Sequence, residues 1–343
     1  MSRQHSILFG NGFNLLTSEE LRWDNLLHKV FPNNFHDSKK YAKAGNRGTN
    51  DNTLMYESLL LDEYRHDCDS INKFEDSKKF NFATELNKFQ PNDKTINILE
   101  KLANLPVRYY MTTNFDNTFD KVFSDNKAIN FQNDNSEPLF SLHRRHTMYK
   151  NEKVKTLWYV HGEASFEKTI MFGYDQYCLS LGQIANYLNH GGNLSSGKKH
   201  VKEYENLLKH FKAKYHEWFP YMQWHLNHYK RNTSFINWVD LFFLTDVHII
   251  AQGLAFSEID IWWLLNKRAR YIEAAKKSKY KYQITNNIYY YGQCSPAQKA
   301  MFEAFGVIIK NVSHVVNEKG KVQYYDYYND LITVIEMNIN DGE

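Results

Sequence analysis

The chain has 343 residues, of which 42% are hydrophobic and 24% charged, and it contains 15 glycines and 6 prolines. This composition excludes a disordered, a collagen-like and a coiled-coil protein, and it indicates a globular one. The formal net charge of +3, from 42 basic and 39 acidic side chains, is too balanced to mark the whole surface as a polyanion binder.

Cysteine usage and hydropathy give expectations about compartment and metal content. Cys68, Cys178 and Cys294 lie far apart, so there is no CxxC pair, no zinc-ribbon spacing and no disulfide framework. The most apolar stretch, residues 238–256, is interrupted by charged side chains, and no basic-then-apolar leader is present. We expect a cytoplasmic protein with no structural metal and no membrane segment.

Short β-prone runs alternate with longer helical patterns along the chain, as in a parallel sheet covered by helices. Each run is mostly apolar or aromatic, which is typical of strands buried on both faces. We therefore predict an α/β protein with a Rossmann-like parallel sheet flanked by helices. The predicted strands are Ser6–Phe9, Val107–Met111, Thr156–Val160, Val247–Ala251, Ile288–Tyr291 and Val307–Ile309.

Two stretches between predicted strands are too long for simple crossovers. We predict large helical insertions at about 17–105 and 176–237 within a single domain that spans residues 1–343. In the first insertion, Leu54–Tyr64 and Thr95–Leu102 carry apolar residues at helical spacing.

The first predicted strand runs into the turn Gly10-Asn11-Gly12-Phe13, which precedes a predicted helix. Two glycines let the backbone approach a pyrophosphate closely, and free N–H groups at a helix start attract negative charge. The turn therefore predicts a dinucleotide phosphate site. The third glycine of the usual fingerprint is missing, which argues against ordinary dehydrogenase binding. The alternative is a tight β–α turn.

A polar cluster follows the second predicted strand. Thr112, Thr113, Asn114 and Asp116 would face the same crevice as the glycine turn, because ligands of open α/β sheets bind beyond the carboxyl ends of the strands. The alternative for part of this cluster is helix capping, since residues 116–123 form a candidate helix.

His161 stands directly after the third predicted strand and before Gly162. A histidine exchanges a proton near neutral pH, and the glycine leaves room for a ligand beside it. His161 is therefore the candidate general base.

The strand Val247–Ala251 leads to a loop with Gly253 and Ser257, followed by Asp260. Ser257 and Asp260 have the spacing of a capping box, which starts a helix. The same loop is also placed to hold ribose hydroxyls through Ser257 and a carboxylate.

In this order and at this spacing, the four segments resemble the sirtuin-like NAD-consuming family, in particular the sirtuin-like effectors of bacterial anti-phage defence. Gly10–Phe13 resembles the phosphate loop of the family, and Thr113–Asp116 resembles the motif that holds the nicotinamide ribose. His161-Gly162 matches the catalytic His-Gly pair. Gly253–Ser257 matches a later loop, and Tyr291 falls where the family contacts adenine.

The resemblance implies an NAD glycohydrolase that cleaves NAD to nicotinamide and ADP-ribose, with NAD as substrate and no metal. Asn114 would orient the nucleophile or a ribose hydroxyl, His161 would take the proton, and Asp116 would lie near the developing cation or hold Asn114 in place. The expected NAD-binding residues are Gly10, Asn11, Gly12, Phe13, Thr113, Gly253, Ser257 and Tyr291. The resemblance further implies an anti-phage effector that depletes NAD when activated, acting as a homo-oligomer or with an activating partner protein.

Two other functions use the same residues. One is a binding module that senses a nucleotide of the ADP-ribose type without chemistry, and the other is a protein-lysine deacylase. The deacylase is disfavoured because the four-cysteine zinc module of such enzymes is missing here. A basic, tyrosine-containing stretch at residues 267–281 suggests nucleic-acid contact, but a solvated helix face is favoured.

Overall fold

The structure is a computed structural model of the chain. The predicted helix Leu54–Tyr64 and most of both predicted insertions lie outside the residues that it describes. Those residues are 4–21, 81–123, 129–131, 141–150, 153–171, 174–190, 237–255, 258–277, 284–313, 316 and 322–340.

Within the described residues, one sheet of eight strands forms the centre of the protein. The predicted strands were all confirmed to within a few residues at their ends. The strands are β1 (His5–Phe9), β2 (Tyr109–Thr112), β3 (Ile129–Phe131), β4 (Arg145–Lys150), β5 (Lys153–Tyr159), β6 (Asp246–Ile250), β7 (Ile288–Tyr291) and β8 (Val307–Lys310).

The strands lie in the spatial order β3-β4-β5-β2-β1-β6-β7-β8. From β5 to β8 every neighbouring pair is parallel. If only these parallel strands are counted, their order is that of the doubly wound Rossmann sheet, with the reversal of strand order between β1 and β6. The predicted α/β Rossmann-like fold is therefore confirmed. In such sheets ligands bind at the reversal, beyond the carboxyl ends of the strands.

Strands β3 and β4 were not predicted. They extend the sheet at β5 by antiparallel pairing. Strand β4 buries His146 and Met148 on its inner face. Because the inward residue His146 is polar, the sequence of β4 does not alternate between apolar and polar residues as a half-buried strand usually does.

Helices cover both faces of the sheet. The helices that lie wholly within the described residues are, in chain order, α1 (Asp93–Asn104), α2 (Thr118–Phe123), α3 (Tyr174–His190), α4 (Trp238–Leu244), α5 (Ile259–Lys277), α6 (Pro296–Ala304) and α7 (Tyr324–Asn340). No helix in the described part of the chain is both long enough and apolar enough to cross a membrane.

Two large hydrophobic clusters lie on opposite faces of the sheet, since successive strand residues point to alternate sides. One cluster packs Leu8, Met111 and Ile249 against side chains of α3, α4, α5 and α6. The other packs the neighbouring strand residues, such as Ile7 and Ile250, against α1, α2 and α7. Burial on both faces explains why the central strands are continuous apolar runs.

Candidate functional site

The loops that follow β1, β2 and β6 contact one another directly at the carboxyl edge of the sheet. Asn114 Nδ2 donates to the Gly10 carbonyl oxygen at 3.3 Å, and Thr113 Oγ1 donates to Gln252 Oε1 at 3.0 Å. The Gly12 N–H donates to the Ala251 carbonyl oxygen at 2.9 Å. The loop after β5, which carries His161, follows the strand next to β2. Residues far apart in the sequence thus meet at one edge.

Close packing explains the glycines of the first turn. A Cβ at residue 10 would lie 1.6 Å from Gln252 Oε1, and one at residue 12 would lie 2.8 Å from the Ala251 carbonyl oxygen. The N–H groups of Gly10 and Gly12 donate to the Ile250 and Ala251 carbonyl oxygens. Both groups are thus used within the protein, and the predicted phosphate contacts of this turn stay a prediction.

The turn leads into a 3-10 helix, Asn11–Leu16, rather than a longer α-helix. Asn11 donates to the Leu21 carbonyl oxygen at 2.7 Å and accepts from Asn14 at 3.0 Å. Phe13 is fully buried, and its ring packs edge-on against Tyr328 at 4.8 Å between centroids. The side chain of Phe13 is therefore part of the core.

Asn114, one of the predicted catalytic residues, has a side-chain oxygen that accepts no hydrogen bond from the described residues. Its side chain is buried, its N–H donates to Thr112 Oγ1 at 3.0 Å, and its amide nitrogen donates to Gly10. Its amide oxygen, Oδ1, is buried and accepts no hydrogen bond from the described residues. A buried acceptor without a donor costs about 1–3 kcal/mol, and a ligand hydroxyl would satisfy it.

Asp116 ties two loops together. One carboxylate oxygen accepts from Asn14 Nδ2 at 2.7 Å, and the other accepts from the Thr118 N–H at 3.0 Å, at the start of α2. The bond from Thr118 is a local Asx turn, by which Asp116 supports the start of α2 from just before the helix.

His161 lies between two carboxylates. Its Nε2 is 3.1 Å from Asp260 Oδ2, and its Nδ1 is 3.4 Å from Glu258 Oε2. The ring is buried and packs edge-on against Tyr177. Burial alone lowers the pKa of His161, but the charges of Asp260 and Glu258 overcome this effect and raise the pKa to about 9. His161 is therefore an imidazolium ion at neutral pH in this arrangement.

Glu258 lies on the other side of this ion pair. Burial raises the pKa of Glu258, the charge of His161 lowers it, and the charge of Asp260 raises it. The net result is a pKa of about 7. Gln252 donates a hydrogen bond to the Glu258 carboxylate. A continuous polar chain therefore runs from Thr113 through Gln252, Glu258 and His161 to Asp260, and it joins the loops after β2, β6 and β5 to the start of α5.

Sequence reasoning missed Gln252 and Glu258, and it gave Asp260 a role only in capping and ribose binding. A signal was present, because acidic residues at 258 and 260 follow a glycine loop after a strand. Only the fold shows that both carboxylates face the histidine at the end of another strand.

Gly162 has a backbone φ of +95°, a conformation that favours glycine. A Cβ there would also lie 2.1 Å from the Thr169 carbonyl oxygen. Directly after it, Glu163 turns into a second buried cluster, where Glu163 Oε2 lies 2.9 Å from His146 Nε2 and Asp120 pairs with the other ring nitrogen. The loop that carries His161 is thus anchored on both sides.

The remaining predicted residues lie in different surroundings. Tyr291 is 2% exposed, and its hydroxyl contacts His248 Nδ1 and Asn338 Nδ2, so its side chain belongs to the core. Gly253 is exposed, with open space where a Cβ would be. Ser257 lies outside the described residues.

His161, Glu258 and Asp260 are also the described residues whose ligand atoms approach within 4.8 Å of one another, as a metal ion would require. However, Nε2 of His161 faces Asp260 while Nδ1, on the other side of the ring, faces Glu258, so the two carboxylates do not converge on one ring nitrogen. We interpret the group as a pair of ion pairs.

No protein-family model matches the chain, and no curated protein matches it.

Proposed function

We propose that the protein is an NAD glycohydrolase, which hydrolyses the bond between nicotinamide and ribose to give nicotinamide and ADP-ribose. The observation that carries this proposal is the buried, unused amide oxygen of Asn114 beside the glycine turn. It lies at the carboxyl edge of a Rossmann-type sheet, near the reversal of strand order where dinucleotides bind.

Asn114 suits the binding of a ribose hydroxyl. Its amide nitrogen is held by the Gly10 carbonyl, which fixes the amide so that Oδ1 accepts from a ligand. A hydroxyl group of the nicotinamide ribose, or the attacking water, supplies such a donor. Holding the sugar in one pose provides the orientation that glycosyl hydrolysis requires.

Nicotinamide leaves as a neutral molecule, so the reaction needs no strong general acid. What it needs is exclusion of bulk water and a group that accepts the proton of the attacking water. The buried polar chain at this edge of the sheet holds carboxylates that can accept such a proton. Asp116 supports the site indirectly, since it holds Asn14 and the start of α2.

The direct test is incubation of the purified protein with NAD, with free nicotinamide measured by chromatography and NAD binding by calorimetry. We expect release by the wild type and a loss of about 10²-fold or more in Asn114→Ala and His161→Ala, because each change disturbs the positioning of the reacting groups. Asn311→Ala is the matched control, because Asn311 is exposed near the far edge of the sheet. Binding without release in the wild type would replace the enzyme by a nucleotide sensor.

The resemblance to anti-phage effectors extends the proposal to the cell. There the protein would deplete NAD once a signal or partner protein activates it, and it would act as an oligomer. Measurement of cellular NAD in bacteria that express the wild type or Asn114→Ala, with and without phage infection, tests this role. Equal NAD levels in both strains during infection would refute it.

A further inference from the structure

The geometry around His161 leaves the proton of the reaction without an obvious acceptor. Both ring nitrogens face carboxylates, at 3.1 Å for Asp260 and 3.4 Å for Glu258. An imidazolium ion has no lone pair with which to take a proton from water. A different group must therefore act as the base in this arrangement.

We propose that Glu258 accepts the proton of the attacking water, and that His161 and Asp260 are positioning residues that hold its carboxylate in place. This inference rests on the proposed NAD hydrolysis. It assigns the proton transfer to a residue that was not among the predicted site residues.

The position of Glu258 in the polar chain supports this role. It lies between His161 and Gln252, and Gln252 in turn bonds Thr113, next to Asn114. Of the ionisable groups in this polar chain, Glu258 comes first after Thr113 and Gln252. It is therefore the one next to the loops that carry Asn114 and the glycine turn. Asp260 is fully buried on the far side of the imidazole.

One carboxylate oxygen of Glu258 pairs with the His161 charge but accepts no hydrogen bond from the described residues. This oxygen, Oε2, is buried and lies 3.4 Å from His161 Nδ1. The side chain is 10% exposed, against 3% for His161 and 0% for Asp260. Glu258 is therefore the group of this cluster that a water molecule reaches most easily.

The charges that face Glu258 adjust its basicity. The His161 imidazolium, from the loop after β5, lowers the pKa of Glu258. The carboxylate of Asp260, in the first turn of α5, raises it. Together with burial they bring the pKa to about 7. A base with a pKa near the working pH combines a useful deprotonated fraction with a favourable proton transfer.

The water oxygen forms a bond to the anomeric carbon of the nicotinamide ribose, and the bond from that carbon to the pyridinium nitrogen breaks. The electron pair of the broken bond stays with nicotinamide, which becomes neutral. The proton of the water passes to the Glu258 carboxylate and later to solvent. The positive charge of His161 stabilises the carboxylate form before the step.

Three variants test the proposal by the pH dependence of nicotinamide release. Glu258→Gln should lose about 10²- to 10⁴-fold in rate, together with the acidic limb of the profile. In His161→Gln that limb should persist and move to higher pH, because the charge that lowers the pKa of Glu258 is gone. In Asp260→Asn it should move to lower pH, because the charge that raises this pKa is gone.

The matched control is Glu273→Gln in α5, since the Glu273 side chain is 61% exposed and its carboxylate forms a surface ion pair with Lys276 at 2.6 Å. Glu258→Asp keeps a carboxylate in a smaller side chain, and it should retain a measurable acidic limb. This variant covers the case in which Glu258→Gln does not fold, which circular dichroism would detect.

Two results would overturn the assignment while leaving NAD hydrolysis in place. One is a wild-type rate and profile in folded Glu258→Gln, and the other is loss of the acidic limb in His161→Gln alone. A wild type that binds NAD without release would overturn the proposed hydrolysis instead. NMR titration of the Glu258 carboxyl in ligand-free protein distinguishes these failures, because it needs no turnover. A value near 7 supports the inference, and the ordinary value of 4.5 contradicts it.

Discussion

Gln252 fills the space that a side chain at Gly10 would occupy. The Gln252 amide oxygen lies 1.6 Å from the position of a Cβ at residue 10, and the same oxygen accepts the hydrogen bond from Thr113. The glycine turn after β1 and the polar chain that reaches His161 are therefore one packed unit.

Substitution of the loop glycines by alanine tests how closely each glycine is packed. Gly12→Ala should lower the free energy of unfolding by about 1–3 kcal/mol, because its Cβ meets the Ala251 backbone at 2.8 Å. Gly10→Ala should cost less, since the end of the Gln252 side chain can move, but it should break the bond to Thr113. Gly253→Ala meets nothing within 4 Å and is the control. Urea unfolding measures all three, and equal costs would contradict this explanation.

Lys155 is a buried lysine that serves the backbone. Its ammonium group donates to the carbonyl oxygens of Leu105 and Val107 at 2.7 and 2.6 Å, just after α1 ends. Lys155→Met should lower the free energy of unfolding by about 2–4 kcal/mol, because it leaves two acceptors unsatisfied. Lys153→Met, at an exposed position on the same strand, should change it by less than about 0.5 kcal/mol. Thermal or urea unfolding tests the difference, and equal losses would refute it.

Acid should destabilise the protein through His248. Burial, followed by the nearby His5 and Lys310, lowers the pKa of His248 to about 3 from the ordinary 6.5. Between these values the unfolded chain binds a proton that the folded protein does not, so this contribution to stability falls by up to about 1.4 kcal/mol per pH unit as the pH decreases.

The variant His248→Gln isolates this effect, because glutamine offers polar atoms without titrating. It should show a shallower loss of stability than the wild type between pH 6 and 4, measured by urea unfolding at each pH. Identical slopes would show that His248 does not titrate in this way.

Alkaline conditions should act through His146 with the opposite sign. Burial alone lowers the pKa of His146, but its contacts with Asp120 and Glu163 raise it to about 9 from 6.5. The folded protein holds a proton that the unfolded chain loses above pH 6.5, so the stabilisation is complete below pH 6.5 and is lost as the pH rises to about 9. In His146→Gln the decrease in unfolding free energy between pH 7 and 9 should be smaller, and an unchanged decrease would contradict the assignment.

The sequence was sufficient to predict the parallel part of the sheet, because strands buried on both faces are continuous apolar runs. It was insufficient for β4, whose inner face carries His146, since a buried charged cluster has no hydropathy signal. The spatial order of the strands also depends on pairings across the whole chain, which no local pattern contains.

The sequence was sufficient to predict which strand ends lie together, but not which side chains contact one another there. Thr113 and Asn114 lie beside the glycine turn, as strand-end reasoning required. The side chain of Tyr291, a predicted ligand contact, is buried in the core. The sequence could not show this, because the face to which a strand residue points depends on the register of the strand. Glu258 was missed for a similar reason, since its partner follows a different strand.

The place of β1 in the sheet has a consequence for biosynthesis. It is the first strand in the described part of the chain, yet it lies at the centre and pairs with both β2 and β6. On the ribosome, one edge of β1 stays without its partner until Asp246–Ile250 has been translated. During that interval the nascent chain exposes the unpaired backbone edge of β1 and its apolar side chains, so we expect chaperones to bind it before the last three strands emerge.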